Sequence, residues 1–96
     1  MYARFLLMNL GPGMRDAATS MADEGYKMSK GLPGFLSATY LVFDEAKGDY
    51  GSLTVWKSEA DANAAAEKLQ PWLQQKAGGM FKSPPVIRVA EVYEPA

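Results

Sequence analysis

The chain has no cysteine and no histidine among its 96 residues. Without cysteine there can be no disulfide, thiol nucleophile or thiolate metal site, which fits a reducing compartment. Without histidine, an imidazole proton shuttle, a Ser-His or Cys-His pair and a His-ligated zinc are all excluded. Charge of one sign is also lacking. Ten Lys+Arg against eleven Asp+Glu leave a formal charge of -1, too little basic field to make nucleic acid or an anionic membrane an expected partner. The apolar start, Met1 to Leu10, falls short of the ~20 residues that cross a bilayer. It is followed by Gly11-Pro12-Gly13 rather than a small-residue cleavage site. The expectation is a cytoplasmic protein whose chemistry rests on carboxylates, Lys, Tyr, Asn, Arg or a borrowed cofactor.

What is present reads as one folded domain over residues 1–96: 48% hydrophobic and 22% charged residues lie well outside the composition of disordered chains. Tyr2 to Asn9 is an almost continuous apolar run, the pattern of a strand buried on both faces. From Met14, the residues Ala17, Ala18, Met21, Gly25 and Met28 recur at helical spacing, with charges between them. Lys27 and Lys30 suit that helix's negative end, and Gly31 is expected to cap it in the left-handed conformation. Phe35 to Asp44 and Asp49 to Lys57 read as two strands joined by a turn at Glu45-Ala46-Lys47-Gly48. Ser58-Glu59-Ala60-Asp61 is a capping-box-like start to a second helix. Its inner face is Ala62, Ala65, Ala66 and Leu69, and Pro71 is expected to break it before Trp72 and Leu73 continue inward to Gly78-Gly79. Val86 to Tyr93 supplies the fourth strand.

The order βαββαβ predicts an α+β, ferredoxin-like fold. Its four-stranded antiparallel sheet carries both helices on one face, and the first and third strands are expected side by side in the middle, running the same way. The other sheet face stays bare. It is apolar as well, since Leu6, Met8 and Leu10 point to one side and Phe5 and Leu7 to the other, so a homodimer through this open face is expected.

Gly31-Leu32-Pro33-Gly34-Phe35, followed after the hairpin by Leu53-Thr54-Val55-Trp56-Lys57-Ser58 and Glu59-Ala60, resembles the antibiotic biosynthesis monooxygenase domain family. The resemblance covers nearly the whole chain in length and element order. It implies a dimeric α/β barrel in which two ferredoxin-like sheets close on each other. It implies no single reaction: the family includes cofactor-independent quinone-forming oxygenases, haem-degrading oxygenases, small isomerases and proteins without assigned activity. Haem-degrading members carry an Asn, a Trp in a similar Leu-Thr-Val-Trp-Lys-Ser stretch, and an iron-ligating histidine that this chain lacks. No haem and no other cofactor or metal is therefore expected. The reading is oxygenation of an aromatic or polycyclic small molecule without a protein-bound metal. The alternatives are a non-catalytic ligand-binding or assembly dimer and a small isomerase.

Asn9 and Trp56 lead the candidate residues. Each is expected near the C-terminal end of one of the two central parallel strands, so the topology brings the two side chains close together beside the helix N-termini, where ligands bind in open α/β sheets. An Asn amide can orient oxygen or a carbonyl, and a Trp ring supplies a wall; the competing reading is a strand-end cap and a core aromatic. Ser52 and Thr54 share Trp56's face by strand alternation, opposite Ala62, Ala65, Ala66 and Leu69, so these residues form either a substrate pocket or a close helix-to-sheet contact. Met21, centred between Met14 and Met28 on one helical stripe, lines either the core or that pocket. Tyr40 can donate a proton to a phenolate-like intermediate or simply pack. Arg88 can hold an anionic substrate or form an interface or surface salt bridge. Gly11-Pro12-Gly13 is not a phosphate loop.

Overall fold

The computed structural model describes residues 1–95. In chain order these form β1 (Tyr2–Asn9), α1 (Arg15–Ser29), β2 (Phe35–Asp44), β3 (Asp49–Trp56), α2 (Glu59–Ala77) and β4 (Val86–Glu91). The expected βαββαβ order is found; the third strand stops one residue early, at Trp56, and the fourth two residues early, at Glu91. The sheet order is β2-β3-β1-β4, and every neighbouring pair is antiparallel.

That last fact corrects the expected direction of the central pair. A tight hairpin forces β3 to run against β2, and β3 then inserts between β2 and β1. The α1 crossover therefore skips one position: β1 and β2 share a direction and β3 opposes both. In the resulting register Tyr2 faces Trp56 and Asn9 faces Asp49. Asn9 and Trp56 thus sit at opposite ends of the sheet, about 23 Å apart at ~3.3 Å per residue.

Both helices cover one sheet face. Arg4, Leu6 and Met8 of β1, and Tyr50, Ser52, Thr54 and Trp56 of β3, are buried beneath them, while the alternate residues of β1 are only half-buried. Helix α1 presents Ala18, Met21 and Gly25, and α2 presents Ala62, Ala65, Leu69, Leu73 and Ala77. The side chains gather in two clusters, one around Leu6, Met8, Leu10 and Met21, the other around Trp56.

Two helix-end expectations change. Gly31 is not left-handed: α1 ends at Lys30 in right-handed geometry, with the Gly31 amide donating to the Met28 carbonyl at 3.2 Å, and the positive φ falls on Gly34 instead. Helix α2 also runs unbroken through Pro71. Pro71 and Glu67, the residue whose carbonyl loses its amide partner, both lie on the solvent side of the helix, so water can replace the missing bond. The start of α2 is as expected, with Ser58 Oγ accepting from the Asp61 amide at 3.1 Å. Among the described residues no helix is long and apolar enough to cross a membrane.

Candidate functional site

Between the sheet and the two helices lies a cavity of about 60 Å³, lined by Arg4, Leu6 and Met8 from β1, Met21, Gly25 and Ser29 from α1, and Leu69, Trp72 and Leu73 from α2, with Tyr40, Ser52 and Thr54 completing the wall. At ~10–15 Å³ per water this is space for roughly four to six waters, well under the ~150 Å³ of a cavity that encloses one benzene ring, so an aromatic ring fits only by reaching into adjoining space. The cavity adjoins a second, more open depression of about 210 Å³, which shares Met8, Tyr40 and Gly51 with it. Tyr40 therefore stands at the junction.

Helix α1 meets this wall at Gly25. A Cβ at Gly25 would meet the Trp72 ring at 3.4 Å and the Tyr40 hydroxyl at 3.7 Å. Those two groups therefore converge over the same point of α1. Burial first, then the neighbouring Tyr26 and Asp23, raises the Tyr40 phenol pKa above its ordinary value. At neutral pH Tyr40 is a proton donor, not an anion.

Two of the polar side chains in the cavity wall, Arg4 and Trp72, can only donate, while the hydroxyls both donate and accept. Thr54 Oγ1 accepts from the Trp56 indole at 2.9 Å and points its own hydroxyl toward the Arg4 carbonyl at 3.5 Å. Ser29 and Ser52 are buried beside it. Arg4 is 4% exposed, with Nε and Nη2 buried and without a hydrogen-bond partner, and Trp72 Nε1 is likewise buried without one. Desolvation lowers the Arg4 pKa from its ordinary value.

The structure sorts the sequence candidates by face and end of the sheet. Tyr40, Ser52, Thr54, Met21 and Leu69 come together around the cavity. Trp56 does not line it. Fully buried, it stacks edge-on against Phe35 at 5.6 Å between ring centres and fills the space over Ala62 and Ala65. Those alanines therefore serve close packing against an indole, and Ala66, half-buried beside them, is likewise outside the cavity lining. Asn9 is remote from the cavity and its amide is committed elsewhere. Nδ2 donates to the Lys47 carbonyl at 2.9 Å and to Asp49 Oδ1 at 2.7 Å, and Oδ1 accepts from the Gly11 amide at 3.2 Å. Arg88 pairs in register with Phe5, so its exposed side chain leaves the sheet on the open face, opposite the cavity. Of the lining residues not singled out from sequence as site residues, Arg4 and Trp72 carry buried donors without partners. Arg4 was visible in principle: the alternation that buries Leu6, Met8 and Leu10 reaches it two residues earlier.

No protein-family model and no curated protein sequence matches the chain. Solved structures do. The monooxygenase ActVA-Orf6 of Streptomyces coelicolor, in complex with Nanaomycin D, superposes with a TM-score of 0.77 at 20% identity, over 99% of this chain and 89% of its own. The cofactor-independent oxygenase SnoaB of Streptomyces nogalater, as its N63A mutant, does so at 0.72 and 15%, over 98% and 95%. A Nitrosomonas europaea protein provisionally assigned as an antibiotic biosynthesis monooxygenase gives 0.81 and 14%, over 98% and 91%. The chain has the fold of the antibiotic biosynthesis monooxygenases. At these identities the likeness establishes architecture, and the reaction has to be argued from the cavity itself.

Proposed function

We propose that the chain is a small cofactor-independent monooxygenase acting on an electron-rich aromatic molecule held in the cavity between sheet and helices. The observation that carries this reading is a small, partly open apolar cavity that adjoins a depression of about 210 Å³ and is lined by hydroxyl and N–H donors, in a fold shared with a cofactor-independent oxygenase. A polycyclic substrate would extend past Tyr40 into the adjoining depression. In the reaction a phenol-type ring supplies the electrons. Dioxygen gives one atom to the ring as a carbonyl, and the other leaves as water with the displaced ring hydrogen and the phenolic hydrogen. Met21, Leu69 and Leu73 exclude solvent, Ser52 and Thr54 present polar contacts, and the protonated Tyr40 donates to the oxygen that becomes water.

An oxygen electrode with single-ring and naphthol-type phenols tests this directly. The wild type should consume one dioxygen per quinone formed, and Tyr40→Phe should lower turnover by ~100-fold with little change in binding. Binding of phenols without oxygen uptake anywhere in the panel would instead identify a ligand-binding dimer.

We also infer that the open sheet face joins two copies of the chain. Phe5 and Phe43 stack edge-on there at 6.4 Å between ring centres, and Phe43, Leu53 and Val86 expose 53%, 37% and 46% of their surface. A patch of this kind is uncommon on a monomer, and a stable pair would bury more than ~1,000 Å². Light scattering should give about twice the 10.5 kDa chain mass, and Leu53→Lys should give single chains. A monomeric wild type at tens of micromolar would end this reading.

A further inference from the structure

We infer that the cavity is an anion site: its ligand carries a negatively charged oxygen, bound by the Arg4 guanidinium with Trp72 Nε1 as a second donor. The inference rests on the proposal that the cavity binds an aromatic molecule, and it specifies that molecule's charge. Arg4 lies on β1 among apolar residues, is 4% exposed, and leaves Nε and Nη2 without an acceptor. A guanidinium in that position is costly unless something completes it, because a buried charge needs both a counter-ion and hydrogen bonds. Among the described residues none is supplied. The ion pairs among the described residues are Arg15 with Glu45 and Lys76 with Glu24, both at the surface, and no carboxylate lines the cavity.

A second copy docked on the open sheet face would not supply one either. Arg4 shares the helix-covered side with Leu6 and Met8, so the sheet separates it from that face. The second unsatisfied donor, Trp72 Nε1, belongs to the same lining. Two independent donors from β1 and α2 therefore lack acceptors around one cavity, and the groups adding to them there, Ser29, Ser52, Thr54 and Tyr40, are hydroxyls that can also donate. A neutral hydrocarbon would leave the Arg4 and Trp72 donors unpaired. A carboxylate matches the guanidinium fork with two parallel hydrogen bonds, and a phenolate offers one oxygen with the same charge.

The test compares benzoate with benzamide, which has the same shape without the charge, by calorimetry and thermal shift at fixed protein concentration. The wild type should bind benzoate at least ~10-fold more tightly and gain melting temperature with it. Arg4→Met should lose that preference and should itself melt ~5 °C or more higher than the ligand-free wild type, because it removes an unpaired buried charge. Arg4→Lys should retain part of the preference, having the charge without the fork. Trp72→Phe should weaken benzoate by a few-fold. With 4-nitrophenol at mildly acidic pH, a bound spectrum of the phenolate would place the charge on a phenol oxygen, and a bound neutral phenol beside tight benzoate would place it on a carboxylate. Equal affinities for benzoate and benzamide in the wild type would overturn the anion site while leaving aromatic binding intact. If no aromatic compound binds at all, the proposed function fails with it.

Discussion

Trp56→Ala should lower the unfolding free energy by ~3–5 kcal/mol, read as a shifted urea midpoint at unchanged slope. The indole is fully buried over Ala62, Ala65 and Leu69 and meets the Phe35 ring edge-on. Alanines opposite it cannot expand to fill the gap, so the vacated space persists as a cavity. The substitution also removes the donor that Thr54 Oγ1 accepts. Set against the ~5–15 kcal/mol typical of a whole domain, this is a large fraction. Trp56→Phe should cost less, since a ring remains. Because a dimer's stability depends on concentration, all variants are compared at one protein concentration. A Trp56→Ala protein as stable as the wild type but impaired in aromatic binding would mean that the indole is a ligand wall after all.

Gly48→Ala should cost ~2–5 kcal/mol, from two sources of comparable size. Gly48 has φ 80°, a region that costs an L side chain ~1–2 kcal/mol. A Cβ there would also collide with the Gly11 backbone, and overpacking against atoms that cannot yield costs ~1–3 kcal/mol. Gly11 cannot yield easily. The Leu10 amide donates to the Gly48 carbonyl at 2.9 Å, and Asn9 ties Lys47, Asp49 and Gly11 into the same junction. Asn9→Ala should therefore register as a loss of ~1–3 kcal/mol in stability with aromatic binding and turnover unchanged. A folded, stable Asn9→Ala with lost turnover would restore the catalytic reading of that residue. A Gly48→Ala protein melting with the wild type would show that the hairpin end relaxes freely.

Most of the fold was legible because its signals are local. The turn at Glu45-Ala46-Lys47-Gly48, the Ser58 cap and the glycine pair after Ala77 each act within a few residues, and the elements begin or end where they stand. Strand direction is a property of three elements together. Taking β1 and β3 as parallel moved Asn9 from one end of the sheet to the other, and the supposed pair with Trp56 followed from that step alone. Pro71 misled for a related reason: its penalty depends on whether the orphaned carbonyl faces water, which only tertiary placement decides. In the site, period-two alternation correctly put Ser52 and Thr54 on one face. It also put Arg4 on the buried face, where the apolar neighbours hid a charge that a strand read as buried on both sides was not expected to hold.

Pro71 has a mechanical consequence. The next residues, Trp72 and Leu73, form part of the cavity wall, and they ride on the two turns of α2 that follow a missing backbone hydrogen bond. Bending stiffness in a helix comes from that ladder, so the most compliant point of α2 lies immediately before the side chains that bound the enclosed space. A ligand larger than the enclosed space would be accommodated by flexing the C-terminal third of a helix. The sheet, clamped by its ladders on both sides of β1 and β3, would stay still, and the strain would be spread along a spring of about two turns.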